Sequence, residues 1–217
     1  QIASTAKECG VELFVLDDGW FGQRNDDHAG LGDWVANPER LPNGIKGLSE
    51  RIEAMGIKFG LWFEPEMTNK DSDLYRAHPD WILHTPGRNA SHGRYQYVLD
   101  FSRKEVVEYI YEMMAKILSE AKVSYIKWDM NRSITECYSV ALPADRQGEV
   151  FHRYILGVYD LYERLTSEFP EVLFESCSSG GGRFDPGMLY YAPQGWTSDD
   201  SDAIERLKIQ YGTSLCY

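Results

Sequence analysis

Short runs of β-forming residues alternate along the whole chain with segments of helical periodicity, and acidic residues follow nearly every β-forming run. Apolar residues recur at helical spacing between the runs, for example at Val106, Ile110, Met113 and Ile117. Because each helix returns the chain to the same edge of a sheet, this alternation predicts parallel strands. Six strands are predicted, at residues 12–16, 58–63, 95–101, 124–128, 172–174 and 195–197.

Two architectures can accommodate such an α/β pattern. In a (β/α)8 barrel the carboxyl ends of all strands meet at one face, which carries the active site. A doubly wound open sheet instead binds its ligand at a switch point, usually marked by a glycine fingerprint, and no GxGxxG follows the first strand. We therefore expect residues 1–217 to form one domain, an incomplete (β/α)8 TIM barrel. About six βα units can be identified in the sequence, and the first and last strands of the barrel are expected to be missing from it.

Two helix starts carry capping signals. Ser102 with Glu105 three residues later matches a capping box, which predicts the beginning of the helix after residue 102. Ser201 or Asp202 can cap the last helix.

Charge and cysteine usage narrow the function classes. A net charge of −12 without a basic cluster argues against nucleic acid. The chain has no run of about 18 apolar residues, so no membrane span is expected. Cys9, Cys137, Cys177 and Cys216 are scattered, which favours a reducing, cytoplasmic location over a disulfide framework or a zinc site.

Ten carboxylates lie at or near the predicted strand ends. They would repel one another unless protons, cations or hydrogen-bond donors offset them, and a bound metal or a bound sugar could do so. The five histidines show no HxH or HExxH spacing, so we expect a sugar and neither a metal nor a cofactor. The ten residues are Asp17, Asp18, Glu64, Glu66, Asp100, Asp129, Glu175, Asp199, Asp200 and Asp202.

Glycoside hydrolysis needs two carboxyl groups on opposite sides of one bond, one protonated and one ionised. Lys127 and Arg132 bracket Asp129, and nearby positive charge favours the ionised form. Singly, a strand-end tryptophan is often core and a strand-end aspartate is often a helix cap. Four tryptophans lie within a residue or two of the strand ends, namely Trp20, Trp62, Trp128 and Trp196.

Seven segments carry a family resemblance, in order along the chain. They are LDDGWFG (16–22), GDW (32–34), GLWFEPEM (60–67), GRYQYVLDFS (93–102), KWDMNR (127–132), ESCSSGGGRFDPGMLYY (175–191) and WTSDDSDAIERLKIQYGTS (196–214). In these segments the sequence resembles the α-galactosidases of glycoside hydrolase family 36, of the bacterial long-chain type. The resemblance implies a catalytic (β/α)8 barrel and a retaining, exo-acting, double-displacement hydrolysis of terminal α-linked galactose, as in melibiose and raffinose.

The resemblance also implies the catalytic pair. Asp129 in KWDMNR matches the nucleophile, and Asp199, the first aspartate of SDDSDA, matches the acid/base. Asp200 and Asp202 remain alternatives for the acid/base, although a local hydrogen-bonding partner and a helix cap are their more ordinary roles. Retaining enzymes hold the two carboxyl groups about 5–5.5 Å apart, which is the separation expected here.

Further residues match the family's sugar site. By resemblance, Asp17 and Asp18 accept hydrogen bonds from galactose hydroxyls, Arg94 and Lys127 contact hydroxyls, and the segment 177–180 lines the 2-position. The full predicted substrate-binding set is Asp17, Asp18, Trp62, Arg94, Lys127, Asn131, Cys177, Gly180 and Trp196.

Alternatives within the same fold remain open. An α-N-acetylgalactosaminidase would need space near the 2-position, and a raffinose-type transglycosylase would pass galactose to another sugar. A non-catalytic carbohydrate-binding barrel should have lost one essential carboxylate, and both are present. The expected partner is a galactoside, with no nucleic acid and no membrane, and whether the parent enzyme is homo-oligomeric stays open.

Overall fold

A computed structural model describes residues 1–215. Seven strands occur in this part of the chain, namely β1 (Leu13–Leu16), β2 (Lys58–Phe63), β3 (Met67–Thr68), β4 (Tyr97–Val98), β5 (Tyr125–Trp128), β6 (Leu173–Ser176) and β7 (Gln194–Gly195). The α-helices are α1 (Ile2–Glu8), α2 (Gly44–Ala54), α3 (Asp73–Ala77), α4 (Lys104–Glu120), α5 (Val150–Glu168), α6 (Pro186–Tyr191) and α7 (Ala203–Thr213). Short 3-10 turns occur at Pro79–Trp81 and Ala144–Glu149.

A five-stranded parallel sheet organises the molecule. Its spatial order, β1-β2-β5-β6-β7, is the order of these strands along the chain. Every pair in it is parallel, so all five carboxyl ends lie at the same edge. Within residues 1–215, the outer edges of β1 and β7 pair with no further strand, so the sheet is open there.

The predicted strand at 95–101 is wrong as a member of this sheet. Only β4 forms there, and it pairs antiparallel with β3 in a separate two-stranded sheet. Arg94 and Tyr95 have φ values of 52° and 59°, a left-handed conformation that ends an extended run. The sheet therefore has five strands rather than six, and residues 64–103 form an insertion between β2 and α4.

The helices cover the sheet with the faces that their periodicity predicts. Val150, Tyr154, Val158, Leu161 and Leu165 of α5 are all buried, as expected. In α4, Val106 and Ile110 are buried, whereas Met113 and Ile117 are only partly buried and pack at the edge of the core. None of the described helices is long and apolar enough to cross a lipid bilayer.

One of the two capping predictions is wrong. Ser102 does not cap α4, because its hydroxyl donates to Asp100 Oδ1 at 2.5 Å, and the helix starts after Arg103 without a side-chain cap. Asp202 does cap α7, accepting hydrogen bonds from the backbone N–H groups of Ile204 and Glu205 at 2.9 and 3.0 Å. The last helix therefore begins where the sequence places it.

Candidate active site

Asp129 lies immediately after β5 and is 6% exposed. Its backbone N–H donates to the Phe63 carbonyl at 2.8 Å, which holds the end of β5 against β2. Its Oδ1 accepts from the Met130 backbone N–H at 2.9 Å, and its Oδ2 accepts from Trp62 Nε1 at 3.1 Å and Asn131 Nδ2 at 2.8 Å. Three donors therefore hold this buried carboxylate in one orientation.

The thiol of Cys177 lies beside Asp129. Burial and the negative charge of Asp129 raise the pKa of Cys177 to about 12, outweighing a backbone hydrogen bond at Gly180. Cys177 thus stays a neutral thiol over the physiological range.

Gly180 brings the segment 177–180 against the chain that leads to Asp199. It has a φ of +93°, and a β-carbon there would lie 2.9 Å from the Cα of Ser198. Only glycine fits both the conformation and the approach. The close contact joins the loop after β6 to the loop after β7.

Lys127 bridges the two sides of the sheet's carboxyl edge. Its Nζ lies 2.9 Å from Asp17 Oδ2, after β1, and 5.8 Å from the ring centre of Trp196, after β7. Burial acts to lower the pKa of Lys127, but the hydrogen bond and charge of Asp17, together with Asp129, more than offset it and raise the pKa. Lys127 is therefore a firmly charged cation between three strand ends.

Asp18 is held by a residue that the sequence analysis missed. Arg24 is 5% exposed and binds Asp18 through two nitrogens, with Nε 3.0 Å from Oδ1 and Nη2 2.8 Å from Oδ2. Its Nη1 donates to the Ala29 carbonyl at 3.0 Å. No local spacing rule marks Arg24, because its role depends on how the loop after β1 folds back.

Asp199 differs from its two acidic neighbours in what it binds. Asp199 Oδ1 accepts from Trp196 Nε1 at 2.9 Å, and both side chains are exposed. Asp200 Oδ1 accepts from the Asp202 backbone N–H at 2.9 Å, and Asp202 caps α7. The local roles expected of Asp200 and Asp202 are therefore confirmed, whereas Asp199 binds no backbone group in the contacts described.

The remaining predicted residues differ in how they relate to Asp129. Trp62 and Asn131 contact Asp129 directly, whereas Arg94 is exposed and its charge acts on Glu64. Arg132, expected to favour the ionised nucleophile, instead donates to the carbonyls of Ser91 and Gln96, at 3.0 and 2.9 Å. Trp20 and Trp128 are buried in the core, at 2% and 0% exposure.

Glu66 forms a buried ion pair at the back of the site. Arg183 binds both of its oxygens at 2.8 Å, Trp128 Nε1 donates to Oε1 at 2.8 Å, and the Tyr154 hydroxyl donates to Oε2 at 2.5 Å. Arg183 follows the glycine-rich stretch 180–182, so this pair ties that loop to β5 and α5. Sequence reasoning noticed Glu66 as a strand-end acid but not its partner, 117 positions away.

Two further buried carboxyl groups lie near Asp129. Glu64 accepts from the Asn131 backbone N–H at 2.5 Å and from Gln96 Nε2 at 2.9 Å. Glu175 accepts from the Tyr125 hydroxyl, and burial raises its pKa although Tyr125 and Lys127 act in the opposite direction. The repulsion expected among the strand-end acids is thus met largely by the protein's own donors and cations.

Comparison with known proteins identifies the family of this parallel-sheet domain. The Melibiase family matches residues 1–217, so the chain belongs to the Melibiase family. It is 60% identical to alpha-galactosidase AgaA of Geobacillus stearothermophilus and 56% identical to alpha-galactosidase Mel36A of Lactobacillus acidophilus. Both matches cover 100% of the chain but only 30% of the relative, so the chain spans about a third of their length.

Solved structures of related proteins superpose on all or nearly all of this chain. A variant of Geobacillus stearothermophilus AgaA in complex with raffinose has a TM-score of 0.97 at 59% identity, covering 100% of this chain and 30% of that one. A second AgaA variant, in complex with stachyose, has a TM-score of 0.95 at 59% identity and covers 99% and 30%. The raffinose complex carries an Asp-to-Asn substitution and the stachyose complex an Asp-to-Ala substitution at another position. The interval between those two aspartates equals the interval between Asp129 and Asp199.

Proposed function

We propose that this chain is part of the catalytic barrel of a retaining, exo-acting α-galactosidase. Its substrates are galacto-oligosaccharides with terminal α-linked galactose, such as melibiose and raffinose. The observation that carries the proposal is the buried Asp129 carboxylate, held by three donors at a shared strand edge and beside Cys177, whose loop packs through Gly180 against Ser198. The names of the relatives and the paired aspartate spacing in the AgaA complexes support it.

In the first step, protonated Asp199 gives its proton to the glycosidic oxygen while Asp129 attacks the anomeric carbon. The bond to the leaving sugar breaks, and a galactosyl ester of Asp129 forms. In the second step, Asp199, now ionised, takes a proton from water, and the oxygen of that water displaces Asp129 from the anomeric carbon. Two inversions return galactose with its original α configuration.

The sugar is held by fixed charges at the strand ends. Asp17 is oriented by Lys127 and Asp18 by Arg24, so both can accept hydrogen bonds from galactose hydroxyls without rearranging. Lys127 offers further N–H donors to the same hydroxyls. Arg94 and Trp196 are both exposed and are proposed to contact the sugar from the solvent side.

The segment 177–180 selects the substituent at the 2-position. Cys177 is buried and Gly180 is pressed against Ser198, so this side of the site is closely packed. We expect a free 2-hydroxyl to fit and an N-acetyl group to be excluded, which favours an α-galactosidase over an α-N-acetylgalactosaminidase.

The closed barrel and the cytoplasmic location are also proposals. The chain-order parallel sheet, open at both outer edges within residues 1–215, supports a barrel that closes with strands from the rest of a longer protein. The free thiols of Cys9, Cys137 and Cys177 support a cytoplasmic location.

The test uses the full-length protein that contains this chain. We expect it to hydrolyse p-nitrophenyl α-galactoside, but neither the β-anomer nor the N-acetylated α-analogue. NMR during the first turnovers should show α-galactose as the initial product. Initial β-galactose would exclude the retaining mechanism, and no release from any α-galactoside would exclude the function.

A further inference from the structure

Glu64 is a fully buried carboxyl group near the nucleophile. It follows β2 directly, its exposure is 0%, and both of its oxygens are engaged. It therefore has no surface left with which to touch a sugar. Any effect of Glu64 on the reaction must pass through the residues that it contacts.

Asn131 connects Glu64 to the nucleophile. Glu64 Oε1 binds the backbone N–H of Asn131 at 2.5 Å, while the Asn131 side chain donates through Nδ2 to Asp129 Oδ2 at 2.8 Å. The other end of the amide, Oδ1, accepts from the Ser179 hydroxyl at 3.1 Å. Glu64 thus fixes the backbone from which the amide reaches Asp129, and Ser179 fixes the direction of the amide.

We propose that Glu64 is a positioning residue for the reaction at Asp129, a buried neutral carboxyl group that aligns the nucleophile through Asn131. This deepens the proposed function and rests on it. A carboxylic acid suits the position because it accepts the Asn131 N–H without placing a second negative charge beside Asp129. Gln96 and Asn131, its hydrogen-bonding partners, are both uncharged, and the Gln96 amide oxygen, which is buried without a partner, accepts the Glu64 proton when that amide is turned by 180°.

The charges around Glu64 agree with a neutral group. Burial, followed by the negative charge of Asp129, raises the pKa of Glu64 to about 8, although the Asn131 hydrogen bonds and the charge of Arg94 act in the opposite direction. Asp129, at the end of β5, and Arg94, in the loop before β4, are the charged groups that face it. Both causes favour the protonated form of Glu64 in the folded protein.

The kinetic test compares two substitutions in the full-length protein. Glutamine copies protonated glutamate in shape and keeps the carbonyl acceptor, so E64Q should retain kcat within about threefold at pH 6. E64A removes the acceptor and should lower kcat by on the order of 10²-fold, because small displacements of reacting groups cost about that much. KM should change less, since Asp17, Asp18 and Lys127, which are proposed to hold the galactose hydroxyls, are not among the hydrogen-bonding partners of Glu64.

The pH dependence separates a neutral role from a charged one. Relative to E64Q, native kcat should fall above about pH 8, where Glu64 ionises and repels Asp129. Exposed Glu39 provides the control, and E39Q should match the native enzyme at every pH. Native kcat in E64A, or an E64Q enzyme as impaired at pH 6 as E64A, would overturn the proposal.

The role of Asn131 is tested by combination. If Glu64 acts through Asn131, E64A should cost much less in an N131A background than in the native one. Equal factors in both backgrounds would show that Glu64 acts by another route. Should E64A fail to fold, the pH profile of E64Q still decides between a neutral and a charged carboxyl group.

Two measurements do not depend on activity. The native-minus-E64Q difference spectrum should contain the infrared carbonyl band of a protonated carboxyl group at pH 6 and should lose it near pH 8. Because the folded pKa is raised above the unfolded value, the stability contributed by protonation is complete at low pH and is lost as pH rises through about 8. The Tm of E64Q minus the Tm of the native protein should therefore increase between pH 5 and pH 8. A Tm difference that stays constant over this range would contradict the proposal.

These readouts also keep the two hypotheses apart. If the native protein hydrolyses no α-galactoside, the proposed function fails, whereas the infrared band and the Tm difference still report the state of Glu64. If native activity is present and only the Glu64 effects are missing, the proposed function stands and the positioning role falls.

Discussion

The two aspartates proposed for catalysis stand in opposite surroundings. Asp129 is buried and held by three donors, two of them from the end of β5 and one from the end of β2. Asp199 is exposed and bound by the indole of Trp196. The helix that follows it, α7, also exposes its apolar residues, with Ile204 at 64% and Leu207 at 66%.

A nucleophile and an acid/base have different tasks. A nucleophile must stay ionised and stationary, because its oxygen forms and breaks one bond along one line. An acid/base must gain and lose a proton in each cycle and must reach both a leaving sugar and a water. The rigid surroundings of Asp129 are therefore expected of its role, whereas the exposure of Asp199 and α7 describes residues 1–215 alone, which span about a third of the relatives' length.

The largest effect should come from removing the two carboxylates separately. D129A should lower kcat by on the order of 10⁵-fold for every substrate, since no other group can form the ester. D199A should lower it by on the order of 10²–10⁴-fold for raffinose, and much less for a nitrophenyl galactoside, whose leaving group needs little protonation. Sugar binding should be largely kept in both. Kinetics on the two substrates make the measurement, and a leaving-group dependence in D129A instead of D199A would reverse the assignment.

The next largest effect is expected from breaking the buried ion pair between Glu66 and Arg183. R183M leaves Glu66 buried without its cation and should destabilise the protein by about 3–5 kcal/mol. The exposed pair between Arg164 and Glu108 serves as control, and R164M should cost far less. Urea unfolding of the full-length protein tests this expectation, and similar losses in the two variants would contradict it.

A smaller effect is expected where the sugar is bound. R24K keeps the charge but loses the bidentate hydrogen bonding to Asp18. KM should therefore rise about tenfold, which corresponds to about 1.4 kcal/mol of binding free energy, and kcat should change less. The exposed Arg76 offers the matched change, and R76K should leave KM unaltered. Steady-state kinetics on melibiose would show the difference. An unchanged KM in R24K would mean that Asp18 needs no such support.

The smallest effects compare the two indole donors directly. W62F removes a donor to buried Asp129 and should lower kcat about tenfold, because the oxygen that it leaves cannot be reached freely by water. W196F removes the donor to Asp199, where water can replace it, and should lower kcat only about twofold. Kinetics of the two variants on one substrate suffice. Equal losses would remove the proposed distinction between a rigid and an open half of the site.

Sequence periodicity was sufficient for the elements that build the sheet. The runs at 58–63 and 124–128 became β2 and β5, and the predicted face of α5 is buried throughout. The run at 95–101 failed although it is rich in β-forming residues. Left-handed backbone at Arg94 and Tyr95 and a local antiparallel partner divert it from the parallel sheet, and neither can be deduced from residue alternation.

The candidate site divides in the same way. Motif resemblance gave Asp129 and Asp199 as the proposed catalytic pair, and capping rules assigned Asp202 correctly. The residues that hold the site, Arg24 and Arg183, escaped notice because an arginine in a polar loop has no sequence signature for its partner. Their contacts exist only once loops after different strands have folded against each other.

The strand order of the sheet also bears on how the protein is made. Each of β2, β5, β6 and β7 pairs with the sheet strand synthesised before it, so none of these four has to wait for a later segment to find that partner. A chain emerging from the ribosome can therefore add one βα unit at a time to a growing edge. By the time residue 130 has emerged, β1, β2 and β5 can already be paired, and the end of β5 that carries Asp129 can be set against β2 before the loop bearing Asp199 has been translated.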